Sequence, residues 1–173
     1  MKKIAIILGL MISASSAYAV DGYKNIRFGS SIDDVKNAHV CSMKAYKVDT
    51  PGMDSIVCDD FKFSGKKTQA FAIFLNGKFE RFAIVLRNND TDAVITGLKE
   101  KYGTPSSASS PDELQDAIKN GGNIFIKFDN DTVVFQGSRD SETLKDTGFL
   151  IYSTSDYDSK LASLKSKEFK EDL

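Results

Sequence analysis

The residues of this chain that could do chemistry are few: two cysteines, one histidine and some acidic turns. Cys41 and Cys58 are not in the C-x-x-C spacing that lowers a thiol pKa for redox exchange. In an exported chain they form the obvious structural disulfide pair, and closing such a loop contributes roughly 3 kcal/mol in the chain-entropy model. His39 could act as a general base only with a nucleophile and an orienting acid beside it. No nucleophile-elbow pattern accompanies it, so His39 is read as a structural or surface residue. One histidine and two bridged cysteines also leave too few ligands for zinc.

Asp129-Asn130-Asp131 and the run from Asn88 to Asp92 are calcium-like at first sight. Neither continues with the glycine and distal glutamate of an EF-hand loop, and both read as polar turns. Gly121-Gly122 lacks the following Lys-Ser/Thr of a phosphate loop. The serines from Ser106 to Ser110 read as a flexible joint. No catalytic residue, cofactor or metal is therefore expected, and an enzyme with scattered, unrecognised residues is the last of three functional readings.

Compartment follows from the first residues. Met-Lys-Lys, an apolar run from Ile4 to Ile12 and small residues ending Ala17-Tyr18-Ala19 make a secretory signal peptide, residues 1–19. The run is too short to span a bilayer, and no later stretch approaches the needed length of about 20 residues. The expected mature chain, 20–173, is a single domain without a membrane span, in the periplasm or outside the cell. Without the two lysines of the signal peptide, 21 basic residues face 24 acidic ones, a net charge of −3. There is no basic stripe to neutralise phosphates, which argues against nucleic acid as a partner.

The elements that must position everything else centre on Thr68–Leu86. Two apolar runs flank Asn76-Gly77, whose tolerance of positive φ suits a type I′ hairpin turn. Counting outward from that turn pairs Leu75 with Lys78, Phe74 with Phe79, Ala72 with Arg81 and Phe71 with Phe82. One face then holds Leu75, Ile73, Phe71, Phe82, Ile84 and Leu86. The other holds Phe74, Ala72, Ala70, Phe79, Arg81, Ala83 and Val85.

Around this hairpin the chain reads as two similar units, roughly 20–88 and 89–173. An edge strand near Tyr23–Phe28 precedes a helix capped by Ser31, with Ile32, Val35 and His39 inward and an end near Cys41. A strand over Ser55–Ser64 follows, with Val57, Phe61 and Phe63 on one face. In the second unit, Asn88–Thr91 caps a helix over Asp92–Tyr102, which Gly103 and Pro105 terminate. Gly97 inside it suggests close contact with the sheet. Ser110-Pro111-Asp112-Glu113 is a capping box with proline at N1, opening a short helix through Lys119. A hairpin over Asn123–Gly137, a strand over Gly148–Thr154 and an amphipathic tail helix with Tyr157, Leu161 and Leu164 on one side complete the chain. The fold class is α+β: two helix-then-antiparallel-strand units sharing a curved antiparallel sheet, with helices on one face.

Phe28-Gly29-Ser30-Ser31 with Val35-Lys36, and Leu98-Lys99-Glu100-Lys101-Tyr102-Gly103-Thr104-Pro105, resemble repeat boundaries in small exported SmpA/OmlA-like and β-lactamase-inhibitor-like proteins. That resemblance implies a helical layer on a curved sheet whose free face can grip a protein. The chain lacks the lipidation cysteine of the lipoprotein members, and no binding residue carries over.

The first functional reading is accordingly an exported, non-enzymatic protein-binding or inhibitory module that uses a sheet face to hold another exported protein. Its candidate contact residues are Phe74, Phe79 and Arg81, aromatic and arginine types enriched at hot spots. The second reading is a binder of a small apolar or lipid-like ligand, prompted by twelve phenylalanines and no tryptophan.

Overall fold

Each half of the chain folds as a helix followed by four antiparallel strands. The computed structural model describes residues 19–87 and 90–171; the predicted signal peptide, but for Ala19, lies outside them, as do Asn88 and Asn89. A two-residue hairpin, β1 (Gly22–Tyr23) with β2 (Ile26–Arg27), comes first. The first half then runs α1 (Ile32–Asn37), β3 (Lys44–Tyr46), β4 (Met53–Phe63), β5 (Lys66–Leu75) and β6 (Lys78–Leu86). The second runs α2 (Thr91–Tyr102), β7 (Ser107–Ala108), α3 (Pro111–Asn120), β8 (Gly122–Phe128), β9 (Val133–Arg139) and β10 (Asp146–Ser153). Helix α4 (Tyr157–Glu171) closes the chain.

The eight strands from β3 onward form one sheet in the order β3-β4-β5-β6-β10-β9-β8-β7. The last strand of each half meets the other at the seam, with Phe82 opposite Tyr152 and Leu86 opposite Gly148. The first strands, β3 and β7, lie at the outer edges. The α+β class and the two-unit plan thus hold. Within the helix-and-four-strand units the difference is α3, inserted between β7 and β8 where the first unit has only a loop.

Local chemistry accounts for the element ends. Ser31 and Asp34 form a reciprocal capping box on α1, as Ser110 and Glu113 do on α3. Hydrogen bonds from Ser31 hold the Asp34 carboxyl below the usual range, and those from Ser110 do the same for Glu113. Asn76 and Gly77 take φ of 50° and 74°, which the mirror-image turn requires.

Register is where the structure departs from a count along the sequence. Phe74 faces Phe79 as expected, but the next pair is Ile73 with Arg81. Glu80 is an extra residue on β6, a β-bulge that flips every later side chain to the other face. Ala72 therefore pairs with Phe82 and Phe71 with Ala83, not with Arg81 and Phe82. A second shift, between Cys58 and Phe61 on β4, puts Phe61 in the core opposite the face of Val57.

With both shifts, one sheet face carries Phe61, Phe74, Phe79, Phe82 and Ile84, each 1% exposed or less. Val35 of α1 and Val94 and Leu98 of α2 pack on this face. The N-terminal segment is not an edge strand of the sheet: its β1–β2 hairpin lays Tyr23 flat on Phe82, ring centroids 4.4 Å apart. Burial pushes the Tyr23 hydroxyl pKa up to about 12. The helices do not form a single layer. Tyr157 and Leu164 of α4 pack against Leu75, with Met53, Ile73 and Leu161 beside them, on the opposite face.

Two smaller expectations also change. Helix α1 stops at Asn37, and His39 lies beyond it, exposed, with φ of 48°. Gly97 faces open space, so it makes no close approach to the sheet.

Candidate functional site

The bulge at Glu80 decides what the sheet can present. Phe74 and Phe79, two of the three expected contact residues, are fully buried among α1-side aromatics. Arg81, the third, points the other way. The three residues share no face, because the extra residue between Phe79 and Arg81 reverses the alternation.

Arg81 and Glu80 instead dock α4. The Arg81 guanidinium lies 3.5 Å from the Tyr157 ring centroid, and its Nη2 donates to Asp158 at 3.1 Å. Glu80, 5% exposed, receives Lys160 Nζ on both carboxylate oxygens at 2.9 and 2.8 Å. Thr154 Oγ1 donates to the same carboxylate at 2.6 Å. Burial pulls the Lys160 ammonium down, but its hydrogen bonds to Glu80 and Asp156 outweigh that, and its pKa is raised. The Lys160 hydrogen bond likewise holds Asp156 below the usual carboxylate range. Burial raises the Tyr157 hydroxyl.

Helix α4 covers only the hairpin end of this second face. Beyond it one register row crosses the sheet from Lys44 through Val57, Phe71, Ala83, Ile151 and Val134 to Lys127. Five of these seven side chains are apolar, one from each of five adjacent strands. The neighbouring row adds Val85, Phe149 and Phe125. Phe71, Val85, Phe149, Val134 and Phe125 are half-buried and lie outside both hydrophobic clusters that the helices join, whereas Val57, Ala83 and Ile151 of the first row are buried. Tyr46, 51% exposed, stands edge-on to Phe71 at 5.5 Å. Both ends of the apolar row finish in ion pairs, Lys44 with Asp59 and Lys127 with Asp131 at 3.4 Å. The side-chain hydrogen bond from Lys44 holds Asp59 low, and the one from Ser106 does so for Asp131.

Cys41 and Cys58 are joined, with their Cα atoms 6.1 Å apart, tying the segment after α1 to β4. Asp60 lies close to both sulfurs. Bonded to one another, the sulfurs offer no thiolate to a metal, and Asp60 accepts from Ser42 at 2.9 and 2.7 Å instead. Asp129, Asn130 and Asp131 form the tight β8–β9 turn, with φ of 52°, 54° and 68°. Asp129 accepts from Val20 N and Thr132, as a polar turn does.

A family model described as "Uncharacterised protein" matches residues 23–172, nearly the whole described domain. The chain belongs to that family. A relative in Haemophilus influenzae, itself called an uncharacterized protein, is 31% identical over 170 residues, covering 96% of this chain and 95% of its own. No solved structure matches the chain. The family match spans both halves of the sheet and carries no activity with it. The likeness to SmpA/OmlA-like and β-lactamase-inhibitor-like chains stays a resemblance of two short stretches.

Counting from the turn missed Glu80, Lys160 and the Val134–Ile151 part of the row. A signal for the first was present: Glu80 and Arg81 are adjacent charges inside an otherwise apolar strand, and a bulge is one way to keep both out of the core. For the row, the signal is that β10 is apolar at consecutive positions from Phe149 to Tyr152, which puts apolar side chains on both of its faces.

Proposed function

We propose that the protein is an exported binding module, not a catalyst, that holds another exported protein against the second face of its sheet. One observation carries this reading: the apolar row from Val57 to Val134 lies outside the α4 cluster, and Phe71 and Val134 remain half-buried along it. Its centre is apolar and aromatic while Lys44–Asp59 and Lys127–Asp131 close its ends. This is the apolar-core, polar-rim pattern of protein interfaces. Because the rim charges are already paired within the chain, the fitting partner presents an apolar patch with a mixed polar border, not a strongly charged surface. The resemblance to exported sheet-face binders supports the same mode. So does the disulfide, which suits an oxidising compartment. Among the described residues no helix is long and apolar enough to cross a membrane.

A photoreactive residue at position 134, introduced into the full chain in the cell that makes it, tests the proposal. The expected result is one dominant protein adduct that disappears with Phe71→Glu and is absent when the probe sits at Leu144, exposed on a loop. Equal adduct patterns from positions 134 and 144 would overturn it.

A further inference from the structure

The opposite face of the sheet holds a separate feature, where α3 interrupts the repeat. Helix α3 has an apolar stripe of Leu114, Ala117 and Ile118 at helical spacing. Only Ala117 is buried; Leu114 is 41% and Ile118 53% exposed. In α2, by contrast, Val94 and Leu98 are both buried in the core. The large aliphatic side chains of α3 therefore stay out of the core, and they border a cavity of about 330 Å³. That is the lower end of the ligand-pocket range.

The floor of the cavity is a glycine pair. Gly137 of β9 and Gly148 of β10 are directly opposite one another in register. Neither has the positive φ that would call for glycine on backbone grounds. Glycine inside a strand loses conformational entropy and packs nothing, so its presence marks a place where something else comes close. Ile124 and Leu86 lean in from the adjoining strands: a Cβ at Gly137 would lie 3.0 Å from Ile124, and one at Gly148 3.3 Å from Leu86. Phe135 adds an aromatic wall.

The charges at the cavity cancel. Arg139 holds Asp146 through two hydrogen bonds, at 2.7 and 3.0 Å, and donates to the Ile118 carbonyl at 2.8 Å, which closes the end beside the α3 C-terminus. Among the described residues lining the cavity a charged ligand group would find no free counter-charge, and burying it unpaired would be costly. The complementary occupant is uncharged where it sits.

We propose that the space beneath α3 is a binding site for one aliphatic chain of an amphiphile, with the polar head left in solvent beside the exposed Leu114. The chain replaces water against Leu114 and Ile118 and rests on Ile124 and Phe135 where they fold over the glycine pair. This site is independent of the protein-binding face, which lies on the other side of the sheet. A free fatty acid and a single-chain lipid both offer this chemistry.

Titration of the mature protein with dodecanoic acid and, separately, with a lysophospholipid carrying the same chain tests the site by amide NMR. Saturable shifts centred on Gly137, Gly148 and the α3 amides are expected with at least one of them. A response to both indicates acyl chains in general, and a response to one identifies the source. Gly148→Val should weaken binding by at least about tenfold. Ile118→Asn, at a half-exposed position that leaves the fold intact, should weaken it too. Absence of saturable shifts with both ligands, or shifts that survive Ile118→Asn undiminished, would overturn the proposal.

Discussion

The carboxylate of Glu80 and the ammonium of Lys160 meet at 2.8 Å, joining the extra residue of a β-bulge to the helix that ends the chain. The bulge thus does two jobs at once. It sets which face of β6 enters the core, and it supplies the acid that anchors α4.

Deleting Glu80 should therefore cost little more than mutating it. Without the extra residue the ladder is regular, Ile73 still pairs with Arg81 and Ala72 with Phe82, so the deletion variant should keep its fold. Glu80→Ala keeps the bulge but leaves the Lys160 and Thr154 hydrogen bonds unmade, a loss of about 1–2 kcal/mol because Lys160 can rehydrate at the surface. Urea unfolding of both variants, followed by far-UV circular dichroism, checks this. Failure of the deletion variant to fold while Glu80→Ala folds would contradict the register.

The buried aromatics make a sharp contrast. Phe79→Ala should lower the unfolding free energy by about 3–5 kcal/mol, since it empties a fully enclosed site. Val134→Ser, on the half-buried opposite face, should lower it by only about 1 kcal/mol. Should Phe79→Ala prove nearly neutral, Phe79 does not sit in the core as described.

Breaking the Cys41–Cys58 bridge by Cys58→Ser should lower stability by about 2–4 kcal/mol. The mass of native protein treated with an alkylating agent should rise only after reduction. Two thiols reacting freely in the native state would refute the bridge.

Docking of α4 should depend on pH at both extremes and not between them. The Lys160 pKa is raised in the folded protein, so its contribution is complete below the ordinary lysine range and fades as pH climbs through the raised value. The Asp156 pKa is lowered, so its contribution is complete above the ordinary aspartate range and fades as pH falls through the lowered value. The Leu164 methyl resonances should stay constant from about pH 5 to about pH 10 and shift outside that window. A midpoint near neutral pH would show that other groups control the helix.

Much of the architecture is written locally. The Asn76-Gly77 turn, the two capping boxes, the Gly103 and Gly121 stops and the lone cysteine pair each follow from chemistry within a few residues, and together they dictate two helix-then-strand units. What the sequence could not reveal is which side of each strand faces which neighbour. Strands apolar on both faces carry no alternation to set register, so a single extra residue, Glu80, reverses the assignment, and only its charge beside Arg81 marks the place. Tertiary structure alone buries Phe79, turns Arg81 onto Tyr157 and aligns Val57, Phe71, Ala83, Ile151 and Val134 in one row. It alone also sets Gly137 against Gly148 beneath α3. The reason is physical: register and cross-sheet neighbours are settled by pairing between strands distant in sequence, and no local propensity encodes that pairing.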